Sequence, residues 1–156
     1  LLPFRRLFIF LADFILMPLT KYLTWIVLIS IGKEPILSGK SIFIGESELI
    51  IGKGCAGSDN LFFVITTIII FMSIFRLKNN KNLWITFISS GLVSVFINVI
   101  RNTLLALIVS VNYDYKDKYF YFFHDSYGSL IFSILSIFIV SNIYIKLLDK
   151  ELKYNN

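Results

Sequence analysis

One cysteine among 156 residues permits no internal disulfide and no two-thiol redox motif. With one histidine beside it, a structural zinc site cannot be assembled from this chain alone, and neither a metal nor an organic cofactor is called for. Charge is scarce as well: 16% of residues are charged, against 56% hydrophobic and 17% aromatic, and the mean hydropathy is +0.77. That balance excludes an ordinary soluble domain of this length. The 15 Lys and Arg behind the net charge of +5 stand at the ends of apolar runs and form no aromatic-interleaved stripe, so they read as topology signals and not as a nucleic-acid surface. No internal repeat or low-complexity linker divides the chain.

What is present is a series of long apolar runs. The expected fold is an all-α integral membrane protein, one domain over 1–156, with about four to five transmembrane helices and a small extracytoplasmic hairpin. Spans fall at roughly 7–31, 61–77, 83–111 and 129–148. Asp13, Pro18 and Lys21 interrupt the first, which is either one helix kinked near Pro18 or two shorter pieces. Asp13 and Lys21 lie roughly 12 Å apart along such a helix, and either pair with other spans or mark the break. Between 32 and 52 the composition is mixed. Lys40 to Ile44 and Ser47 to Ile51 flank Gly45-Glu46, a Gly-first two-residue hairpin turn.

Ser58 or Asp59 stands where an N-cap of the second span belongs, which puts Cys55 just before a helix amino terminus. The run 83–111 would measure about 43 Å as one helix, more than a hydrocarbon core requires. About twenty residues outward from Leu83 lies Arg101, near the membrane surface, with Thr103 to Val111 left as a projecting end or a half-helix. Residues 112–127, polar and aromatic, read as an interfacial loop with rings at headgroup level.

Eight basic residues (Arg5, Arg6, Arg76, Lys78, Lys81, Lys146, Lys150 and Lys153) fall on one side of these spans. Lys33, Lys40, Lys53, Lys116 and Lys118 fall on the other, with seven of the ten acids. The positive-inside rule places the first group in the cytoplasm of a multi-pass protein of the cytoplasmic membrane. Cys55 and His124 then share the outer face with Arg101.

A thiol attacks only as thiolate, a form favoured beside a helix amino terminus or a cation. Gly52, Gly54 and Gly57 around Cys55 allow close backbone approach and would let an amide N–H face a developing oxyanion. The plainer role for Cys55 is that of a buried, inert thiol. Arg101, inside or at the edge of an apolar helix, needs a partner or a task. It either binds a carboxylate or oxyanion, or snorkels to headgroups, or pairs with Asp59 or Asp125. Asn98, one turn earlier, would share its face. His124 moves protons near neutral pH, or is an interfacial histidine bonded to backbone. Asp125 could orient its ring, although adjacent side chains seldom reach one another well.

Gly54-Cys55-Ala56-Gly57, then Asn98-Val99-Ile100-Arg101-Asn102, then His124-Asp125-Ser126-Tyr127-Gly128, in that order and separated by spans, resemble the exosortase/archaeosortase family of membrane transpeptidases. The likeness covers about 52–148. It implies a catalytic triad of Cys55, Arg101 and His124, with Gly54, Gly57, Asn98, Asn102 and Asp125 in support. It also implies substrates bearing a carboxy-terminal sorting signal, a short motif followed by a transmembrane helix and a basic cluster. These would be cut outside the cytoplasmic membrane and passed to a cell-surface acceptor. The family usually has Cys-Ser-Gly where this chain has Cys55-Ala56-Gly57, and many members have more spans, so this is a compact form.

The rival class is a non-enzymatic scaffold or small-solute carrier with Arg101 as a structural or ion-binding charge, which predicts no special proximity among the three residues. Separation of Cys55 from His124 by more than about 8 Å would count against direct thiol-to-imidazole catalysis. A third reading, an acyltransferase using His124, leaves Cys55 dispensable.

Overall fold

The computed structural model describes residues 2–52, 55–111, 114–125 and 127–154. Five helices and one small sheet follow in the order α1 (Leu2–Ser30), β1 (Pro35–Ser38), β2 (Ser41–Ile44), β3 (Ser47–Ile50), α2 (Ser58–Ile74), α3 (Asn80–Ser110), α4 (Lys116–Asp125) and α5 (Tyr127–Tyr154). Helix makes up 77% of the structure, so the sheet is an accessory to a helical membrane protein. The segments 8–30, 80–110 and 127–153 are long and apolar enough to cross a membrane. The 17 residues of α2 make a shorter apolar helix, about 26 Å long.

Pro18 lies inside α1 without dividing it. The turn Gly45-Glu46 joins β2 to β3 as the sequence suggests, with Ile44 opposite Ser47. A third strand, β1, pairs antiparallel to β2. Its four residues, one of them proline, are too few to carry a pattern against the turn-rich background. The expected loop at 112–127 contains α4, a correction. No residue of α4 is fully buried, and its half-buried stripe, Lys116, Phe120, Phe123 and His124, is hidden in the sequence among the consecutive aromatics at 119–123.

Helix α3 packs against all four other helices and against β2 and β3. Thr86, Ser90, Ser94, Asn98 and Asn102 recur every four residues along it, and all five are buried. In a bilayer, lipid tails compete equally for apolar faces, and small polar residues let helices approach closely and bond across the contact. Asn60 Nδ2 of α2 donates to Ser136 Oγ of α5 at 2.9 Å beside this row. At the far end, the Glu151 carboxylate of α5 accepts from the Lys78 and Asn79 backbone N–H groups and from Asn82 Nδ2, tying α5 to the start of α3. The Tyr144 hydroxyl donates to the Phe75 carbonyl nearby.

The sheet stands over the opposite end. Leu28, Ile42, Leu49, Ile51, Leu105 and Ala106 form one buried cluster with Cys55. Trp25 Nε1 donates to the Pro35 carbonyl and Lys21 Nζ to the Gly39 carbonyl, fixing β1 to α1. Ser47 Oγ donates to the Val109 carbonyl, so the last turns of α3 continue its helix beneath β3 and form no separate half-helix.

One orientation signal is corrected. Charge counting groups Arg5 with the basic turn and tail, yet Arg5 pairs with Asp59 of α2 at 2.6 Å. Along α1, Phe8 meets Phe62, Asp13 meets Ser58 and Thr20 meets Ala56. From Arg5 to Thr20 α1 advances roughly 22 Å while its partners stay within residues 56–62. It therefore crosses the amino end of α2 instead of running along it.

Candidate active site

Cys55 sits in a short turn between β3 and α2, 1% exposed. The N-cap of α2 is Gly57, not Ser58 or Asp59, because both candidate side chains are engaged elsewhere. Ser58 Oγ donates to Asp13 Oδ1 at 2.5 Å, and Asp59 is paired with Arg5. Gly57 has φ 86°, a left-handed conformation, and a Cβ there would stand 2.8 Å from Asn98 Cγ and Nδ2. Only glycine satisfies both conditions. Gly54 and Lys53 lie outside the described residues.

Two amide side chains hold this turn from α3. Asn98 Nδ2 and Asn102 Nδ2 donate to the Cys55 carbonyl at 2.6 and 2.8 Å. Thr20 Oγ1 of α1 donates to the Ala56 carbonyl at 3.2 Å. Asn98 shares its direction with Asn102 and not with Arg101, which turns toward α4.

Gly57→Ala is accordingly expected to destabilise the protein by about 1–3 kcal/mol, through the left-handed strain and displacement of Asn98. Gly91→Ala, inside α3 where a Cβ meets nothing within 4 Å, serves as the control and is expected to be no less stable than the parent. Thermal unfolding of both variants in detergent measures the difference.

Helix α4 brings His124 over the thiol. Cys55 Sγ and His124 Nε2 are 3.2 Å apart, and Asp125 Oδ1 lies 2.6 Å from His124 Nδ1. The adjacent carboxylate reaches the ring after all, at the last turn of the helix. Phe120, four residues earlier, stacks on the imidazole with centroids 5.1 Å apart, and Phe123 packs on the cluster around Cys55. The contact with Cys55 raises the His124 pKa above its usual 6.5, and Asp125 adds to this. Partial burial opposes both.

Arg101 reaches the end of α4, while Asp59 is held by Arg5. Its Nε donates to the Phe123 carbonyl at 3.2 Å and a terminal nitrogen to the His124 carbonyl at 2.7 Å. These are the unpaired carbonyls of a helix end, which a planar guanidinium can bridge with two donors. Gly128 completes the arrangement, since a Cβ there would stand 2.6 Å from the Phe122 carbonyl where α5 begins under α4.

Cys55, His124 and Asp125 thus form a line of contacts, and Arg101, Asn98 and Asn102 fix its two halves from one stretch of α3. Thr20 and Phe120 escape a sequence reading, and Ser58, expected as a cap, serves instead as the partner of Asp13. The four-residue spacing of Asn98 and Asn102 was the one signal that could have revealed their common target. Among the described residues no three His, Cys, Asp or Glu side chains gather as metal ligands. An apolar groove of about 910 Å³ between α1 and α3 contains neither Cys55 nor His124. Its α3 wall includes Val99, Ile100 and Thr103, interleaved with the residues that fix the site.

No curated protein and no solved structure matches this chain. Residues 1–141 match the family described as transmembrane exosortase (Exosortase EpsH). A buried thiol in contact with an imidazole, in a multi-pass helical membrane protein that this family covers almost end to end, places the chain among the transmembrane exosortases.

Proposed function

We propose that the chain is a cysteine transpeptidase or protease that cleaves a carboxy-terminal sorting signal on the outer side of the cytoplasmic membrane and passes the protein to a cell-surface acceptor. The observation that carries this reading is the 3.2 Å contact between Cys55 Sγ and His124 Nε2. A scaffold or solute carrier offers no reason for that contact. The apolar α1/α3 groove is the surface this reading assigns to the substrate's own membrane helix.

Cys55, its proton resting on His124, attacks the scissile carbonyl carbon. The developing oxyanion faces the amino end of α2, where no side chain caps the first-turn N–H groups. The C–N bond breaks, His124 gives its proton to the leaving amine, and a thioester remains on Cys55. An amine or water then attacks the thioester carbonyl while His124 takes its proton. The C–S bond breaks and the thiolate–imidazolium pair is restored. Asp125 orients the ring and stabilises its charge. Arg101 is a positioning residue that holds the α4 end and, with it, His124.

Co-expression with carboxy-terminally anchored proteins of the same cell tests the reading. Cleavage of a candidate at its outer membrane boundary, lost in His124→Ala at equal protein level, is expected; full processing by that variant overturns the role of His124.

The raised His124 pKa fixes the sign of the pH dependence. The stabilisation that comes with the charged ring is fully present below pH 6.5 and is lost as pH rises through the higher folded-state value. The alkaline limb of kcat/KM is therefore expected above pH 6.5. Asp125→Asn moves that limb toward 6.5, as a pH profile of substrate cleavage would record.

A further inference from the structure

At the end of the bundle away from Cys55, α5 and the start of α3 border an open cavity of about 610 Å³ with a mixed polar and apolar lining. Lys78, Lys81 and Lys150 line it together with Asn82, Ile85 and Glu151. The Glu151 carboxylate is buried and fully engaged, accepting from two backbone N–H groups and Asn82 Nδ2. None of the three ammonium groups makes a hydrogen bond or ion pair among the described residues. Three ammonium charges against one carboxylate leave a surplus of two in one concave site. Helix α3 adds the positive end of its dipole, with no acidic residue in its first turn to offset it.

The depth of the cavity is marked as well. Trp84, one turn into α3, is 69% exposed and is followed by the exposed Ile85 and Ile88. An indole at the edge of an apolar face belongs at headgroup level. The cavity thus opens where phosphates of a bilayer lie, and Ile85 gives it one apolar wall.

We infer that this cavity binds a phosphate group, supplied by the headgroup of an anionic phospholipid in the leaflet at that end. Lysine ammonium groups hold phosphate oxygens as point charges, and basic clefts between membrane helices suit such headgroups. Glu151 serves the site indirectly. Its hydrogen bonds go to the helix amides and Asn82, so it faces Lys78 only as a nearby charge and none of the three ammonium groups is tied up by it.

The full chain is reconstituted in nanodiscs of phosphatidylcholine alone or with phosphatidylglycerol added, and both thermal unfolding and lipid retention by native mass spectrometry are read. Phosphatidylglycerol is expected to raise Tm by about 3 °C or more and to be retained. The triple variant Lys78→Gln/Lys81→Gln/Lys150→Gln loses both effects, with retention weakened about tenfold. A control of equal charge loss, Lys33→Gln/Lys40→Gln/Lys153→Gln, keeps them. Equal loss in the control, or no difference between the two lipids, overturns the proposal. A matching Tm shift from millimolar inorganic phosphate in phosphatidylcholine discs, absent in the triple variant, overturns the lipid as source and leaves a soluble anion. Should the triple variant not fold, single Lys81→Gln and Lys150→Gln variants are read against Lys153→Gln in the same way.

Discussion

Cys55→Ala is expected to abolish processing of a membrane-anchored substrate, a fall of at least about 10⁴-fold in kcat/KM. The side chain is packed in the cluster under the sheet, so its loss leaves a cavity the size of one sulfur, a cost of about 1–2 kcal/mol that the fold tolerates. Protein level in the membrane should stay unchanged. Cys55→Ser is the sharper variant, because it places an oxygen where sulfur now lies 3.2 Å from His124. A hydroxyl gives up its proton far less readily than a thiol, so at least about a 10³-fold loss is expected with packing almost untouched. Cleavage measured on gels from matched membranes checks both variants. Retention of full processing by either would end the thiol mechanism and favour an acyltransferase in which Cys55 is dispensable.

The second large effect belongs to Arg101. Arg101→Lys keeps the positive charge but replaces two donor nitrogens fixed in one plane, one for each of the Phe123 and His124 carbonyls, by a single ammonium nitrogen on a flexible stem. We expect kcat to fall about 10²-fold with KM nearly unchanged, because the end of α4 shifts and the ring of His124 leaves the thiol. Arg101→Ala should cost more, since it also leaves helix-end carbonyls without their partner. Kinetics on a detergent-solubilised enzyme with a fluorogenic peptide would separate the two parameters. Activity of the lysine variant close to the parent would mean that charge alone matters and that the bridge is incidental.

Apolar runs and turn residues made the long helices and the β2–β3 hairpin legible in the sequence. Those signals are local, set by hydrophobic length and by glycine. The convergence of Cys55, Arg101 and His124 on one end of the bundle was also legible, through the count of spans between them. Contacts across elements were not. Nothing in the order of residues says that Ser58 turns to Asp13 and so leaves the cap of α2 to Gly57. Nor could a charge count detect that α1 crosses α2 obliquely and carries Arg5 to Asp59. Helix α4 was hidden for a different reason: it is ten residues long, and its half-buried Phe120, Phe123 and His124 stand in an unbroken aromatic run where no polar face sets them off.

Asn98, Arg101 and Asn102 occupy a single turn or so of α3, about 6 Å of rise, yet they grip both halves of the site. A slide or tilt of that helix as a rigid body in a thickening or thinning bilayer would carry the cysteine turn and the histidine helix together. The gap between sulfur and imidazole is thus referenced to one short segment of backbone, and not to the position of the bundle in the bilayer.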